Sequence, residues 1–129
     1  LYTKSKERKI DLIRLITPTT DQKRLITILN NASGFLYYVT VNGITGQNSA
    51  NIEDLKKSIN AIKSSTKLPI IAGFGIKNRN DVEQISTFTD GVVVGSSIVN
   101  IIKDNLHDTN KMINEIKLFT KDLKEGIKK

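Results

Sequence analysis

The sequence predicts an α/β fold in which parallel strands alternate with helices, and three observations carry that reading. Short, β-branched apolar runs recur along the chain, each followed by a stretch with apolar residues three and four apart. The runs are continuously apolar, as in strands buried on both faces. Glycine-bearing turns follow three of them, after Val41, Ala72 and Val94. Such alternation implies right-handed crossovers between parallel strands. At 129 residues the chain reads as a single unit spanning residues 1–129. Two architectures satisfy the pattern: a small open doubly wound sheet, or half of an eight-stranded (β/α) barrel, which needs about 250 residues.

The first run, Ile10 to Ile16, is stopped by Thr17-Pro18 and reads as a strand, with Arg14 awkward inside it. Thr19-Thr20-Asp21-Gln22 has a capping-box pattern and opens a helix carrying Leu25, Ile26, Ile28, Leu29 and Ala32, ended near Gly34. Phe35 to Val41 is a second strand, followed by a polar loop from Asn42 to Ala50. Asn51 is placed to cap a helix with Ile52, Leu55, Ile59 and Ile62 on one side. Leu68 to Ala72 is a third strand, with Pro69 tolerable near its start. Asn80-Asp81-Val82-Glu83 begins a short helix with a second capping-box pattern. Asp90 to Val94 is a fourth strand, Gly95-Ser96-Ser97 leads into the apolar Ile98, Val99, Ile101 and Ile102, and a last helix starts near Thr109.

Composition narrows the function. With no cysteine there are no disulfides, thiolate metal sites or cysteine nucleophiles, and the one histidine, His107, builds no metal site alone. No apolar run approaches the roughly 20 residues that span a bilayer, and Leu1-Tyr2-Thr3-Lys4 has no signal-peptide core, so a cytoplasmic location is expected. The net charge of +7 is dispersed among carboxylates, and only 5% of residues are aromatic, which leaves few platforms for stacking nucleic-acid bases. The basic runs Lys4 to Lys9 and Lys121 to Lys129 read as solvated termini. The chain starts at Leu1 and its one methionine is Met112, which reads as N-terminal truncation.

In parallel α/β folds ligands gather at the C-terminal ends of strands. Glycine there lets backbone approach an anion, and the free N–H groups of a helix N-terminus donate without a charged side chain. Gly75, Gly95 and Ser96 are therefore candidate phosphate donors, on the last two strand ends, where barrels place a phosphate site. The eight or nine polar residues before Asn51 suit a βα loop long enough to act as a lid.

Tyr37-Tyr38-Val39-Thr40-Val41-Asn42-Gly43-Ile44-Thr45-Gly46 closely resembles the segment Y-x-V-S-x-x-G-V-T-G of the tryptophan synthase α-subunit family. Pro69 to Ile76 resembles its P-x-x-x-G-F-G-I strand end, Gly91 to Val99 its G-x-x-x-G-S-A-[IL]-V segment, and Thr17-Pro18-Thr19-Thr20 its A-P-T-T turn. The matches keep their order and spacing from about Ile10 to Lys103. The resemblance implies the C-terminal half of a (β/α)₈ TIM barrel, about four βα units with the N-terminal half absent. It implies a carbon–carbon lyase of tryptophan biosynthesis that cleaves indole-3-glycerol phosphate to indole and glyceraldehyde 3-phosphate. It further implies an α₂β₂ complex with a β subunit that carries the pyridoxal phosphate, this subunit having no cofactor and no metal. Carried over by position, N–H groups near Gly46, Gly75, Gly95 and Ser96 hold the substrate phosphate. Leu15, Tyr37, Phe74 and Val93 line the indolylglycerol pocket, and Thr45 belongs to a lid loop. Thr40 stands where the family has serine and Asn42 where it has a small polar residue, and neither change removes a donor.

Retro-aldol cleavage needs a general acid at the indole ring and a group that moves the hydroxyl and N–H protons. The family's glutamate and aspartate for this lie at the second barrel strand, which nothing here resembles, so no catalytic residue is assigned and the chain alone is expected to be inactive. Asp11, Asp21, Glu53, Asp54, Asp81, Glu83 and Asp90 read as helix caps or solvated charges. Tyr37 and Tyr38 point to opposite strand faces, the sequence leaving open which faces the barrel interior. Two other functions stay open: a different phosphate-binding barrel enzyme, of the indole-glycerol-phosphate synthase, phosphoribosylanthranilate isomerase or histidine-pathway type, and an inactive fragment that only binds an anion or a partner.

Overall fold

Strand residues alternate between a buried and an open side, and that alternation organises the molecule. The computed structural model describes residues 2–39, 49–73 and 75–127. Within them β1 (Arg14–Ile16), β2 (Leu36–Val39), β3 (Ile70–Gly73) and β4 (Gly91–Val92) form a four-stranded sheet in the order β1-β2-β3-β4, every neighbouring pair parallel. The register pairs Ile16 with Tyr38, Tyr38 with Ala72 and Ala72 with Val92. Ile16, Leu36, Tyr38, Ile70 and Ala72 are buried, whereas Leu15, Tyr37, Val39, Ile71 and Gly73 between them are exposed or half-buried.

The helices supply the other half of that core. They are α1 (Tyr2–Glu7), α2 (Gln22–Leu29), α3 (Ser49–Lys63), α4 (Arg79–Ile85), α5 (Ser96–Asp104) and α6 (Thr109–Glu125). Leu25 of α2, Leu55, Ile59 and Ile62 of α3, Val82 and Ile85 of α4 and Leu123 of α6 join the buried strand residues in one cluster. Their spacing of three and four places them on a single stripe of each helix. A doubly wound sheet reverses strand order at a switch point and covers both faces. Here each strand lies beside its predecessor, and among the described residues helices cover only one face, which is the arc of a barrel. No helix among the described residues is long and apolar enough to cross a membrane.

Several elements differ from their sequence expectation for local reasons. The first strand begins only at Arg14, because Leu12 N–H donates to Ser33 Oγ at 2.9 Å instead of joining a ladder. Arg14 itself lies on the helix side, where its Nε reaches the Asn31 carbonyl just past α2 at 3.5 Å, a favourable end of the helix for a cation. In α2 the cap is Asp21, which accepts from Arg24 N–H at 2.8 Å, and the helix stops at Leu29, five residues before Gly34. The α4 capping box sits two residues earlier than expected, with Asn78 as cap and Asp81 as its reciprocal partner. Asn51 lies inside α3 rather than before it, and its side chain is outside the described residues. The basic runs are exposed where described, as expected, and partly helical: Lys4 and Lys6 lie on α1, and α6 carries the other run to Glu125 with Leu123 buried.

The face assignment also separates the two tyrosines. Tyr38 is buried beneath the helices, and its hydroxyl hydrogen-bonds the Ser58 side chain. Burial pushes the Tyr38 phenol above its ordinary value of 10.0, the Ser58 bond pulling the other way. In the unfolded chain this phenol ionises first, so the contribution it makes to stability is fully present below pH 10 and is lost as pH rises through the raised folded value. Urea midpoints measured from pH 8 to 11 are expected to fall above pH 10, and Tyr38→Phe is expected to flatten that decline while costing about 1 kcal/mol at neutral pH.

Candidate functional site

Parallel order places the turns after β3 and β4 side by side at one end of the sheet. β3 ends at Gly73, where a Cβ would lie 2.6 Å from Tyr37 Oη, so the phenol on the open face occupies the space above this glycine. Gly75 has φ 65°, in the left-handed region where an L side chain is strained, and it is exposed. The chain then turns inward at the buried Ile76. Lys77 and Asn78 N–H both donate to Asp81 Oδ2, at 2.8 and 3.3 Å, which fixes the backbone leading into α4.

The second turn is tied to the first. Val93 N–H donates to the Ala72 carbonyl at 2.8 Å, extending the ladder by one bond past β4. Gly95 is the N-cap of α5 with φ −109°, and it makes no side-chain cap bond. Its conformation suits any residue, and an added Cβ would meet no atom within 4 Å among the described residues. Among the described residues neither strain nor packing requires glycine at position 95. Ser97 Oγ donates to the Ile76 carbonyl at 2.8 Å, joining α5 to the Gly75 turn. The first N–H groups of α5, on Ser96, Ser97 and Ile98, have no carbonyl a turn earlier in the helix and stand at its positive end.

Between the turns lies a cavity of about 500 Å³ lined by Gly75, Lys77, Ser96, Ser97, Asn100, Ile101 and Phe119. No carboxylate is among those lining residues. The lining thus combines the Gly75 turn, the N-terminus of α5, Lys77 and Asn100 with the apolar Ile101 and Phe119, and a helix N-terminus beside a cation is a combination that suits an anion. Gly75 and Ser96, expected at a phosphate site, are brought together there, with Gly95 capping the helix beside them. Gly46 and Thr45 fall outside the described residues.

The described residues expected to line an apolar pocket lie toward the open face. Leu15 is 59% exposed, Val93 is 36% exposed, and Tyr37 stands between β1 and β3 on the same side as Leu15. Phe74 is outside the described residues. The carboxylates lie elsewhere: Asp21 and Asp81 cap helices, Asp54 pairs with Lys57, Glu83 with Arg79, and Asp90 takes both the Ile70 N–H and Lys63 Nζ. His107 is exposed in the turn between α5 and α6. No group of three or more metal-ligating side chains occurs among the described residues.

Lys77, Ser97 and Asn100 were not singled out from sequence. Their signals are readable afterwards: Lys77 is two residues past the glycine turn, and Ser96 and Asn100 are polar at a four-residue spacing on an otherwise apolar helix.

A family model described as tryptophan synthase alpha chain matches residues 1–128. The tryptophan synthase alpha chain of Petrotoga mobilis is 41% identical over 123 residues, which are 95% of this chain and 48% of that one. The chain thus spans about half the length of the curated relative it matches. The crystal structure of tryptophan synthase subunit alpha from Legionella pneumophila superposes with a TM-score of 0.82 at 27% identity, over 98% of this chain and 45% of that one. A solved chain from Aquifex aeolicus superposes with a TM-score of 0.81 at 28% identity, over 100% and 46% respectively.

The Gly75 conformation yields a direct test. Gly75→Ala forces a Cβ into the left-handed region and is expected to cost about 1–2 kcal/mol, read as a lower urea midpoint with an unchanged slope.

Proposed function

The chain belongs to the tryptophan synthase alpha chain family, and on that premise we propose that it is the phosphate-holding half of the barrel that cleaves indole-3-glycerol phosphate to indole and glyceraldehyde 3-phosphate in tryptophan biosynthesis. The observation that supports it best is the convergence of Gly75 and Ser96 on one cavity at the C-terminal ends of β3 and β4, with Gly95 capping α5. The substrate phosphate accepts from the first N–H groups of α5 and from the Gly75 turn, with Gly46 adding its donor from the loop after β2. The indolylglycerol lies across Leu15, Tyr37 and Val93, with Phe74 beside them, and the Thr45 loop closes over it.

Cleavage breaks the carbon–carbon bond between the indole ring and the glycerol chain, sends a proton to the ring and turns the neighbouring hydroxyl into the aldehyde. Groups that move those protons contribute roughly 10²–10⁴-fold, and no carboxylate is among the described residues that line the cavity. The part of this chain is to anchor and orient: the complementary half is not needed to hold the phosphate but is needed for chemistry, because the acid and base come from it, residues 1–129 forming one unit that docks against it. The product indole then passes to a β subunit that holds pyridoxal phosphate, and the α chain needs no cofactor of its own.

Two experiments check this. In the first, inorganic phosphate or glycerol 3-phosphate is titrated into the chain, with amide shifts of Gly75, Ser96 and Ser97 followed by NMR. Those amides are expected to move together, and Gly95→Asp is expected to weaken binding at least tenfold, because aspartate caps the helix well while placing a carboxylate where the anion sits. Amides that stay still in the wild type contradict the proposal. In the second, the chain alone is expected to show no cleavage of indole-3-glycerol phosphate, and a separately expressed N-terminal half of a family member is expected to restore it in trans. Turnover by the isolated chain at a complete subunit's rate removes the division of labour.

A further inference from the structure

The amide cradle just described is electrically neutral apart from helix-end partial charges, yet a phosphate monoester carries close to two negative charges at neutral pH. Lys77 is the one cation lining the cavity. Its backbone is held by Asp81, whose carboxylate accepts from the Lys77 and Asn78 N–H groups and from no lysine side chain. Lys77 makes no salt bridge among the described residues. The remaining polar side chains divide by role: Ser97 Oγ already donates to the Ile76 carbonyl, while Ser96 and Asn100 lie one helical turn apart on the cavity wall. A lysine in the cavity lining, without a salt bridge among the described residues and on a flexible stem whose backbone is fixed near the N-terminus of α5, is suited to neutralise a second anionic charge.

We propose that Lys77 is a specificity-determining residue of this site, supplying the charge partner that selects a dianionic phosphate monoester over a singly charged anion. This rests on the phosphate reading of the cavity and deepens it. The backbone donors fix where the anion sits, and Lys77 sets how strongly its charge is rewarded. The nearest carboxylate on the adjoining element, Asp81, is already occupied by backbone donors and so competes weakly for the ammonium.

The test compares wild type, Lys77→Gln and Lys77→Arg in the full chain, with glycerol 3-phosphate and with its singly charged methyl ester as probes, by calorimetry at several salt concentrations. Lys77→Gln is expected to weaken glycerol 3-phosphate binding roughly three- to tenfold at low salt, with little effect on the methyl ester. It is also expected to flatten the salt dependence, and Lys77→Arg is expected to retain most of the affinity. Equal losses for both probes, or no loss for either, overturn the proposal. The two readings fail separately: if Gly95→Asp abolishes binding while Lys77→Gln changes nothing, the cavity is the phosphate site and Lys77 is a bystander. If the wild type binds neither probe, both readings fall. Unchanged unfolding midpoints in the lysine variants exclude a merely structural effect.

Discussion

The parallel register of β2 on β3, from Leu36 opposite Ile70 to Val39 opposite Gly73, constrains more of this molecule than any other interaction. A slip of one residue would exchange the faces of β2, putting Tyr37 beneath the helices and the Tyr38 phenol into the open. The same register sets Tyr37 over Gly73, so that any larger residue at the end of β3 forces the Tyr37 ring to shift. Because β4 continues the ladder through Val93 N–H to the Ala72 carbonyl, the turn after β4 starts level with the turn after β3. The cavity between Gly75 and α5 follows from that alignment, since the two turns are held together by the Ser97 bond to Ile76.

Charge is distributed so that the bulk of it does not act at the cavity. The chain carries +7, but Arg79 is taken up by Glu83 and Glu125, Lys63 by Asp90, and Lys111 by Glu115. These pairs are exposed or half-exposed, and each is worth roughly 0–1 kcal/mol, so they organise the surface more than they stabilise it. In the proposed phosphate site an anion meets instead backbone dipoles fixed by secondary structure, which need no reorganisation when a ligand arrives. Asp81 contributes indirectly, since its capping box orients the segment that carries Lys77 into the cavity wall.

The strands and the two glycine turns were legible in sequence because each rests on a local signal. Apolar runs of four or five residues such as Leu36 to Val39 and Ile70 to Gly73 are bounded by turn residues, and the cap of α6 at Asp108 falls beside its expected start at Thr109. The choice between a doubly wound sheet and a barrel arc was not local: it depends on strand order, which periodicity does not encode, and it was the family resemblance that favoured the barrel before the sheet order agreed. The assignment of Tyr38 rather than Tyr37 to the core was equally hidden, because alternation gives opposite faces without naming them. The capping box at Asn78 was misplaced by two residues because Asn80-Asp81-Val82-Glu83 offers the same chemistry one half-turn later, and only the bonds to Asp81 distinguish them. Lys77 escaped notice because a lysine in a basic chain carries no signal until its neighbours are known.

The open face of the sheet gives the remaining constraint. Leu15 of β1 at 59% exposure and Val93, just past β4, at 36% are apolar residues left in water, which costs free energy that a covering surface recovers. Val99 on α5 and Leu106 in the turn that follows it repeat the pattern, at 60% and 66% exposure. The solved relatives that superpose on this sheet are about twice this chain's length. Under the proposed function the face that takes the indolylglycerol and the face that meets the complementary half are one and the same, so that closure of the barrel and completion of the site coincide. On that proposal Leu15 and Tyr37, which the described helices leave uncovered, have the ligand and the opposite strands together as their partners.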